Sequence, residues 1–196
     1  TPCGTLFPYT TLFRSDLIET LSRRVNDMGG ACFAEAFIDG REFNLSVVEV
    51  DRRPRALPPA EIVFEGYGKD RVRIVGYRAK WETGSYEYRD TPRRFDFSDK
   101  DRPLLARLEG LALHCWELFG LSGYARVDFR VDAQGRPWVL EINANPCLSP
   151  DAGFAAALAQ AKISFPEAIS LILDAAVRST MKNPESLYRP RQPYKE

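Results

Sequence analysis

The sequence predicts an α+β fold in which a mostly antiparallel sheet is flanked by helices. Residues 123–131 and 137–143 alternate apolar and polar side chains, and residues 132–135 (Asp-Ala-Gln-Gly) join them, which is the pattern of a β-hairpin. Residues 98–120 carry apolar side chains at helical spacing, namely Leu104, Leu108, Leu111, Cys115 and Leu118. Strands that follow each other through a tight turn pair antiparallel, whereas parallel strands need a long crossover.

The remaining elements are predicted from apolar periodicity and from glycine, proline and aspartate at turns. In chain order we expect a helix over 16–27, a helix stop at 28–30, a strand over 31–38, a turn at 39–40, a strand over 42–50, a connector over 52–59, short strands over 61–65 and 71–75, an exposed irregular loop over 76–98, and closing helices over 150–161 and 166–178. We expect Ser98 to cap the helix that begins there, because serine accepts hydrogen bonds from N–H groups at helix starts.

Composition and charge restrict the class of protein. The chain has 196 residues, 44% hydrophobic and 28% charged, as in soluble globular chains. Lys plus Arg and Asp plus Glu both total 27, so net charge favours neither nucleic acid nor an acidic membrane as a partner. No apolar run reaches the ~20 residues of a membrane helix. Cys32, Cys115 and Cys147 have no metal-type spacing, which predicts reduced thiols and a cytoplasmic location.

The two ends of the chain are interpreted separately. Residues 5–15 (TLFPYTTLFRS) lack the features of a signal peptide, and as codons they match a common short-read sequencing adapter read in frame. We therefore expect 1–15 to be a disordered artefact and 16–180 to be a domain truncated on its N-terminal side. The proline-rich residues 181–196 are expected to form a flexible tail.

The hairpin carries the residues that indicate chemistry. One face of its first strand bears Tyr124, Arg126, Asp128 and Arg130. In the second strand we expect Val139, Glu141 and Asn143 on one face, and Trp138, Leu140 and Ile142 on the other. Pairing would bring together Asp128, Glu141 and Asn143, whose oxygens suit Mg²⁺, with Arg126 beside them to neutralise phosphate. A solvated face with ordinary ion pairs is the alternative.

These residues resemble a known signature. GYARVDFRVD…PWVLEINANP is similar to the C-terminal signature of the ATP-grasp superfamily, most closely the D-alanine–D-alanine ligase type: an Arg-x-Asp strand, then a strand ending Glu-x-Asn with proline three residues later. AEAFIDGREFNLSVV resembles the family's strand–turn–strand around adenine and ribose, GYRAKWE its lysine-bearing loop, and SPDAGFAAALAQAKISFPEAISLIL its closing helices. The likeness runs from about residue 16 to 178.

The resemblance implies a role for each matching position. Glu35 would hydrogen-bond the adenine amino group, and the backbone of Ala36, Phe37 and Ile38 would line the adenine edge. Glu42 would take the ribose hydroxyls. Lys80 and Arg126 would be the catalytic cations at the phosphates, and the Mg²⁺ ligands would be Asp128, Glu141 and Asn143. The implied cofactors are ATP and Mg²⁺, with Mn²⁺ as a substitute.

The implied reaction is ATP-dependent ligation of a small-molecule carboxylate to an amine through an acyl phosphate. No nucleic-acid or membrane partner is implied, and a homodimer of the parent protein is compatible with the family. Two alternatives remain open: a non-catalytic nucleotide-binding module, and another ATP-grasp ligase or carboxylase.

Individual residues also have plainer interpretations. Glu35 could form a buried ion pair, Glu42 could be an edge-strand charge, and Lys80 could be an exposed loop lysine. Trp81 and Cys147 stand where D-alanine–D-alanine ligases usually have tyrosine and glycine, which leaves the substrate open. The family's strand lysine and glycine-rich loop do not occur before Asp16, so we expect these 196 residues to lack ligase activity.

Overall fold

The computed structural model describes residues 14–68, 72–75, 84 and 89–182. In chain order its elements are α1 (Arg14–Met28), β1 (Arg41–Val50), β2 (Arg53–Ala56), β3 (Ala60–Ile62), β4 (Arg93–Arg94), a 3₁₀ turn (Asp99–Asp101), α2 (Arg102–Leu118), β5 (Tyr124–Val131), β6 (Pro137–Asn143), α3 (Gly153–Gln160) and α4 (Phe165–Lys182). Residues 1–40 with 63–92 form one unit, called here the loop unit, and residues 41–62 with 93–196 form the sheet unit. The predicted fold class is confirmed.

The loop unit contains helix α1 and a following run without regular secondary structure. The helix ends as predicted at Gly29, whose φ of 69° lies in the left-handed region that glycine adopts without strain. The predicted strand over 31–38 is wrong, because these residues lie in neither strand nor helix. An apolar run becomes a strand only where a neighbouring strand satisfies its backbone groups. The run instead leaves Phe33 77% exposed.

Within the part of the chain that the structure describes, the sheet unit contains six strands, and all of their pairings are antiparallel. The strand order is β4-β3-β1-β5-β6, and β2 also pairs with β1. Strand β1 therefore lies in the interior of the sheet, whereas β6 lies at an edge. The central β1–β5 ladder runs from the pair Arg41–Val131 to the pair Val48–Tyr124.

Alternation along β1 and β5 gives the sheet two different faces. One face is apolar and packs against α2; its buried core consists of Phe43, Leu45, Val47, Leu108, Ala112, Cys115, Trp116, Ala125, Val127, Phe129 and Val131. The other face carries a second core at one end only, formed by Val48, Leu57, Phe154, Ala157, Leu158, Ile163 and Ala168. Each fully buried Phe or Leu stabilises the fold by roughly 1.5–3 kcal/mol. The remaining part of this second face is polar.

Several predicted boundaries are corrected by the structure. The segment 52–59, predicted as a connector, contains strand β2, because Asp51 and Arg52 have φ values of 50° and 64° and form a two-residue hairpin turn that returns the chain along β1. Strand β3 spans Ala60–Ile62 rather than 61–65, and residues 72–75 form no strand. The predicted irregular loop contains strand β4 near its end.

The long predicted helix is present with a different start. A 3₁₀ turn precedes α2, which begins at Arg102, and Ser98 does not cap it. The Ser98 hydroxyl instead donates to the Asp101 carboxylate at 3.0 Å. Among the described residues no single helix is long and apolar enough to cross a membrane, although α3 with most of α4, bent by 108°, meets that criterion as a pair.

Candidate functional site

The candidate site occupies the polar part of the sheet, on the face opposite α2. Directly opposed residues in antiparallel strands project to the same face, so the register of β1, β5 and β6 defines rows of neighbouring side chains. The rows are Ser46–Arg126–Asn143, Asn44–Asp128–Glu141 and Glu42–Arg130–Trp138. These nine residues are called the polar face. The structure therefore brings together Arg126, Asp128, Glu141 and Asn143, as the sequence predicts.

Arg126 and Asp128 form a two-pronged ion pair on β5. The guanidinium Nε donates to Asp128 Oδ1 and Nη2 donates to Oδ2, each at 2.7 Å. Burial disfavours the charged form of Arg126, but the hydrogen bonds to Asp128 and the charges of Asp128, Glu141 and Glu42 outweigh burial and raise its pKa. Asp128 is only 4% exposed, so this strand is not solvated there, although the ion pair itself is what the alternative interpretation expects.

Glu141 reaches the polar face because β6 contains a bulge. Asp128 is opposite Glu141, but the next residue, Phe129, is opposite Val139, which leaves Leu140 as the extra residue. The predicted strict alternation is therefore wrong beyond Glu141: Val139 lies on the α2 face and Trp138 on the polar face. The bulge leaves two carboxylates directly opposed, an arrangement that is destabilising unless a cation accompanies it.

Glu42 is buried in the interior of the sheet. It is 5% exposed and accepts a hydrogen bond from Arg130 Nη1 at 2.9 Å. The alternative of a plain edge-strand charge is wrong, because β1 is flanked by β3 and β5. An isolated buried carboxylate would be costly, and Arg130 offsets that cost.

Two hydrogen bonds hold the chain where it leaves β6. Asn143 Oδ1 accepts a hydrogen bond from the Asn145 backbone N–H at 2.9 Å. The Tyr124 hydroxyl donates to Asn145 Oδ1. Burial raises the pKa of Tyr124, and the charge of Cys147 adds to this effect. Pro146, next in the chain, is fully buried.

Cys147 follows this exit and is exposed. Its thiol lies 3.1 Å from the Ser149 hydroxyl, and this hydrogen bond lowers the pKa of Cys147. Cys32, Cys115 and Cys147 are all free thiols, as predicted. Burial raises the pKa of Cys115.

The other predicted nucleotide residues belong to the loop unit or lie outside the described residues. Glu35, Ala36, Phe37 and Ile38 belong to the loop unit. Glu35 is exposed, so the alternative of a buried ion pair is wrong for it. Lys80 lies outside the described residues, and its predicted role stays a prediction.

The chemistry of the polar face fits a divalent cation held jointly with phosphate. Among the residues described, no cluster of three or more His, Cys, Asp or Glu side chains could hold a metal ion. The predicted set has two carboxylates, and its third protein donor is the amide oxygen of Asn143. Magnesium keeps several waters and binds through one or two carboxylates plus substrate phosphates, so this donor set suits it.

Two contacts of the candidate site were not predicted from the sequence. Arg130 was placed on the correct face by alternation, but its pairing with Glu42 depends on the β1–β5 register, which no local pattern encodes. The Tyr124–Asn145 contact joins residues 21 positions apart in the chain. The Asn-Ala-Asn-Pro exit was the only local signal for it.

Comparison with known proteins gives a consistent family. Residues 15–174 match the sequence model of the family described as D-ala D-ala ligase C-terminus. The D-alanine–D-alanine ligase of Pelotomaculum thermopropionicum is 31% identical over 153 residues, which cover 78% of this chain and 44% of that protein. The corresponding enzyme of Moorella thermoacetica is 34% identical over 149 residues, covering 74% and 42%. The chain thus spans less than half the length of these relatives.

Solved structures share the fold. The Bacillus anthracis D-alanine–D-alanine ligase complexed with ATP superposes with a TM-score of 0.61 at 20% identity, covering 87% of this chain and 49% of that one. The Coxiella burnetii D-alanine–D-alanine ligase gives a TM-score of 0.64 at 16% identity, covering 91% and 43%. At this identity the likeness establishes the fold alone.

Proposed function

Because the chain belongs to the D-ala D-ala ligase C-terminus family, we propose that its polar face binds the phosphates and Mg²⁺ of ATP in a carboxylate–amine ligase. The carboxylate would attack the γ-phosphate of ATP, which would release ADP and form an acyl phosphate, and an amine would then displace phosphate to give an amide. Positioning and charge neutralisation are the main tasks of a protein in phosphoryl transfer.

The observation that carries this proposal is the direct opposition of Asp128 and Glu141 beside Arg126. Three carboxylates, from Glu42, Asp128 and Glu141, share the polar face with two guanidinium groups, from Arg126 and Arg130. The face therefore has one more negative than positive charge. Oxygen donors and an excess of negative charge favour a divalent cation.

Four residues of the polar face have proposed tasks at the metal ion and the phosphates. Asp128, Glu141 and Asn143 would hold the metal ion. Arg126 would neutralise phosphate oxygens, because a guanidinium binds them with two parallel N–H groups. With Asp128 engaged by a metal ion, the two donors that Arg126 now directs at that carboxylate could turn to phosphate.

The family resemblance also implies residues for the nucleotide base and sugar. We assign the adenine amino group to Glu35, the adenine edge to the backbone of 36–38, and the ribose hydroxyls to Glu42. Lys80 would be a further phosphate ligand.

The proposed substrates are a small amino-acid carboxylate and an amine, with D-alanine as the reference because the relatives are D-alanine–D-alanine ligases. Cys147 stands where those enzymes usually have glycine, so related amino acids belong in any substrate test. A reducing compartment, the cytoplasm, suits the free thiols.

Calorimetric titration of ADP with and without Mg²⁺ tests the proposal. We expect Mg²⁺-dependent ADP binding that Asp128→Asn weakens at least about tenfold, since even residues outside a metal's ligand shell contribute that much. The matched control is Asp132→Asn, at the far turn of the same hairpin, which should bind ADP like the unaltered chain. Equal binding by Asp128→Asn would contradict the proposal. Adding D-alanine or other amino acids with ATP, and following ADP release, tests the expectation that these 196 residues lack ligase activity, which robust release would contradict.

A further inference from the structure

The exit of β6 is connected to the second core by a chain of specific contacts. The Tyr124 ring packs edge-to-face on Phe154, with ring centroids 5.4 Å apart and an interplanar angle of 75°. Phe154 belongs to α3 and is fully buried. Tyr124 is itself held in the β1–β5 ladder opposite Val48. The position of its hydroxyl is therefore fixed by sheet and core together.

The hydroxyl of Tyr124 determines the orientation of Asn145. It donates to Asn145 Oδ1, although Asn145 is exposed and lies in a loop. An exposed asparagine otherwise samples several rotamers. The contact holds the Asn145 side chain toward the sheet, and the buried Pro146 fixes the backbone on its other side.

Asn145 in turn determines the orientation of Asn143. The Asn145 backbone N–H donates to Asn143 Oδ1 at 2.9 Å. Reversal of the Asn143 amide would place its NH₂ group against this N–H, so the contact selects the oxygen for that position. An amide oxygen has two lone pairs, and one hydrogen bond leaves the second available for a cation.

We propose that Tyr124 is a positioning residue which, through Asn145, fixes the Asn143 amide oxygen for metal binding. The proposal rests on the proposed function, because it assigns the metal to the polar face. Neither Tyr124 nor Asn145 would touch the metal ion. Their task is to keep the Asn143 side chain in one orientation before the metal ion binds. Metal binding then does not lose affinity to the ordering of that side chain.

Mn²⁺ binding measured by electron paramagnetic resonance tests this role, because free and bound Mn²⁺ give different signals. Tyr124→Phe removes only the hydroxyl, and Asn145→Ala removes its acceptor. Each should weaken Mn²⁺ binding on the order of tenfold, the usual effect of losing an outer contact that orients a ligand. The double variant should be no weaker than the stronger single variant, since both remove the same contact.

Arg136→Gln is the matched control. It removes a side-chain hydrogen bond outside the polar face, from Arg136 Nε to Asp132 Oδ2 at 2.8 Å, at the opposite end of the hairpin. This variant should keep the Mn²⁺ affinity of the unaltered chain. Thermal unfolding of every variant identifies a purely structural role, which would lower the melting temperature without changing Mn²⁺ affinity.

The outcomes separate the two proposals. If Asp128→Asn abolishes Mn²⁺ binding while Tyr124→Phe and Asn145→Ala bind as the unaltered chain does, the metal site stands and the positioning role is overturned. If the unaltered chain binds no Mn²⁺ with or without ADP, both proposals are overturned. Weakened binding in both variants, with Arg136→Gln unchanged, supports the positioning role.

Discussion

Arg126 and Asp128 lie two residues apart on β5 and share two hydrogen bonds of 2.7 Å each, between the guanidinium and the carboxylate. The pair is mostly buried, with the side chains 17% and 5% exposed. Removal of one partner of a buried pair leaves an uncompensated charge and is strongly destabilising. Arg126 therefore acts as the counter-ion of Asp128 wherever no other cation is bound there.

Replacement of Arg126 by Gln should strengthen metal binding in the absence of nucleotide. The substitution removes a positive charge that competes for Asp128, and we expect Mn²⁺ affinity to rise on the order of tenfold. Affinity for Mg·ADP should fall, because the proposed phosphate contact is lost. Paramagnetic resonance titration gives the first quantity and calorimetry the second.

The control for that substitution is Arg136→Gln. Arg136 is 62% exposed and pairs with Asp132 at the turn of the same hairpin. Its loss should change neither affinity. A fall in Mn²⁺ affinity in Arg126→Gln, without loss of folding, would contradict competition between the guanidinium and the metal ion.

Glu42→Gln should destabilise the protein as well as affect nucleotide binding. The pair between Glu42 and Arg130 has both side chains nearly inaccessible, 7% and 5% exposed. Loss of one partner of a buried pair costs about 3–5 kcal/mol. Chemical denaturation measures this change in the free energy of unfolding. A change below about 1 kcal/mol would show that the pair is not a structural element.

Glu61→Gln should remove an acid-sensitive contribution to stability. Glu61 accepts from Arg41 Nε and Nη2 at 2.7 and 2.8 Å and also from Arg94, which joins β1, β3 and β4. Burial opposes ionisation of Glu61, yet the hydrogen bonds from both arginines outweigh it and hold the pKa below 4.5. Loss of these charge-assisted bonds should cost about 1–3 kcal/mol at neutral pH.

The sign of the pH dependence follows from the lowered pKa of Glu61. The contribution of Glu61 to folding stability is complete above its pKa of 4.5 in the unfolded chain. This contribution is lost as the pH falls through its lower pKa in the folded protein. The melting temperatures of the unaltered chain and Glu61→Gln should therefore differ at pH 7 and converge below about pH 4.5. A difference that stays constant down to the lowest accessible pH would be inconsistent with ionised Glu61 as the source.

Asp132→Asn should loosen the β5–β6 turn at neutral pH. The difference from the unaltered chain should disappear only at lower pH than for Glu61→Gln. Burial raises the pKa of Asp132, but the hydrogen bonds from the Arg136 backbone, Trp138 and the Arg136 side chain lower it to about 2. Its contribution is present above the unfolded value of 3.8 and disappears as the pH falls toward 2. Amide hydrogen exchange at residues 133–136 measures the loosening. Unchanged exchange at neutral pH would contradict the turn's dependence on this carboxylate.

The hairpin could be predicted from sequence because its signals are local. Strict alternation over 124–131 and a turn at Asp132–Gly135 determine the pairing of β5 with β6. The bulge at Leu140 was not predictable, because an extra residue on one strand depends on how side chains pack across the pair. The convergence of Asp128, Glu141 and Asn143 was still predicted. The bulge lies between Glu141 and the turn, so it does not change the alternation from Glu141 to Asn143.

Elements that depend on distant partners were less predictable. Strand β2 has proline and basic residues, which have low strand propensity, but pairing with β1 and the turn at Asp51–Arg52 override it. The reverse holds for 31–38, where an apolar composition without a partner strand gives no strand. For the same reason the buried Glu42–Arg130 pair, which links strands 88 residues apart, could not be predicted from sequence.

The central claim is that Asp128, Glu141 and Asn143 hold a divalent ion with the phosphates of a nucleotide. A crystal structure of the chain with ADP and Mn²⁺, with anomalous scattering used to locate the manganese, tests it directly. We expect one manganese position about 2 Å from oxygens of these side chains, with ADP phosphate oxygens completing its shell. Bound ADP with manganese at another position, or with Asp128 still paired to Arg126 and no manganese near it, would contradict the account.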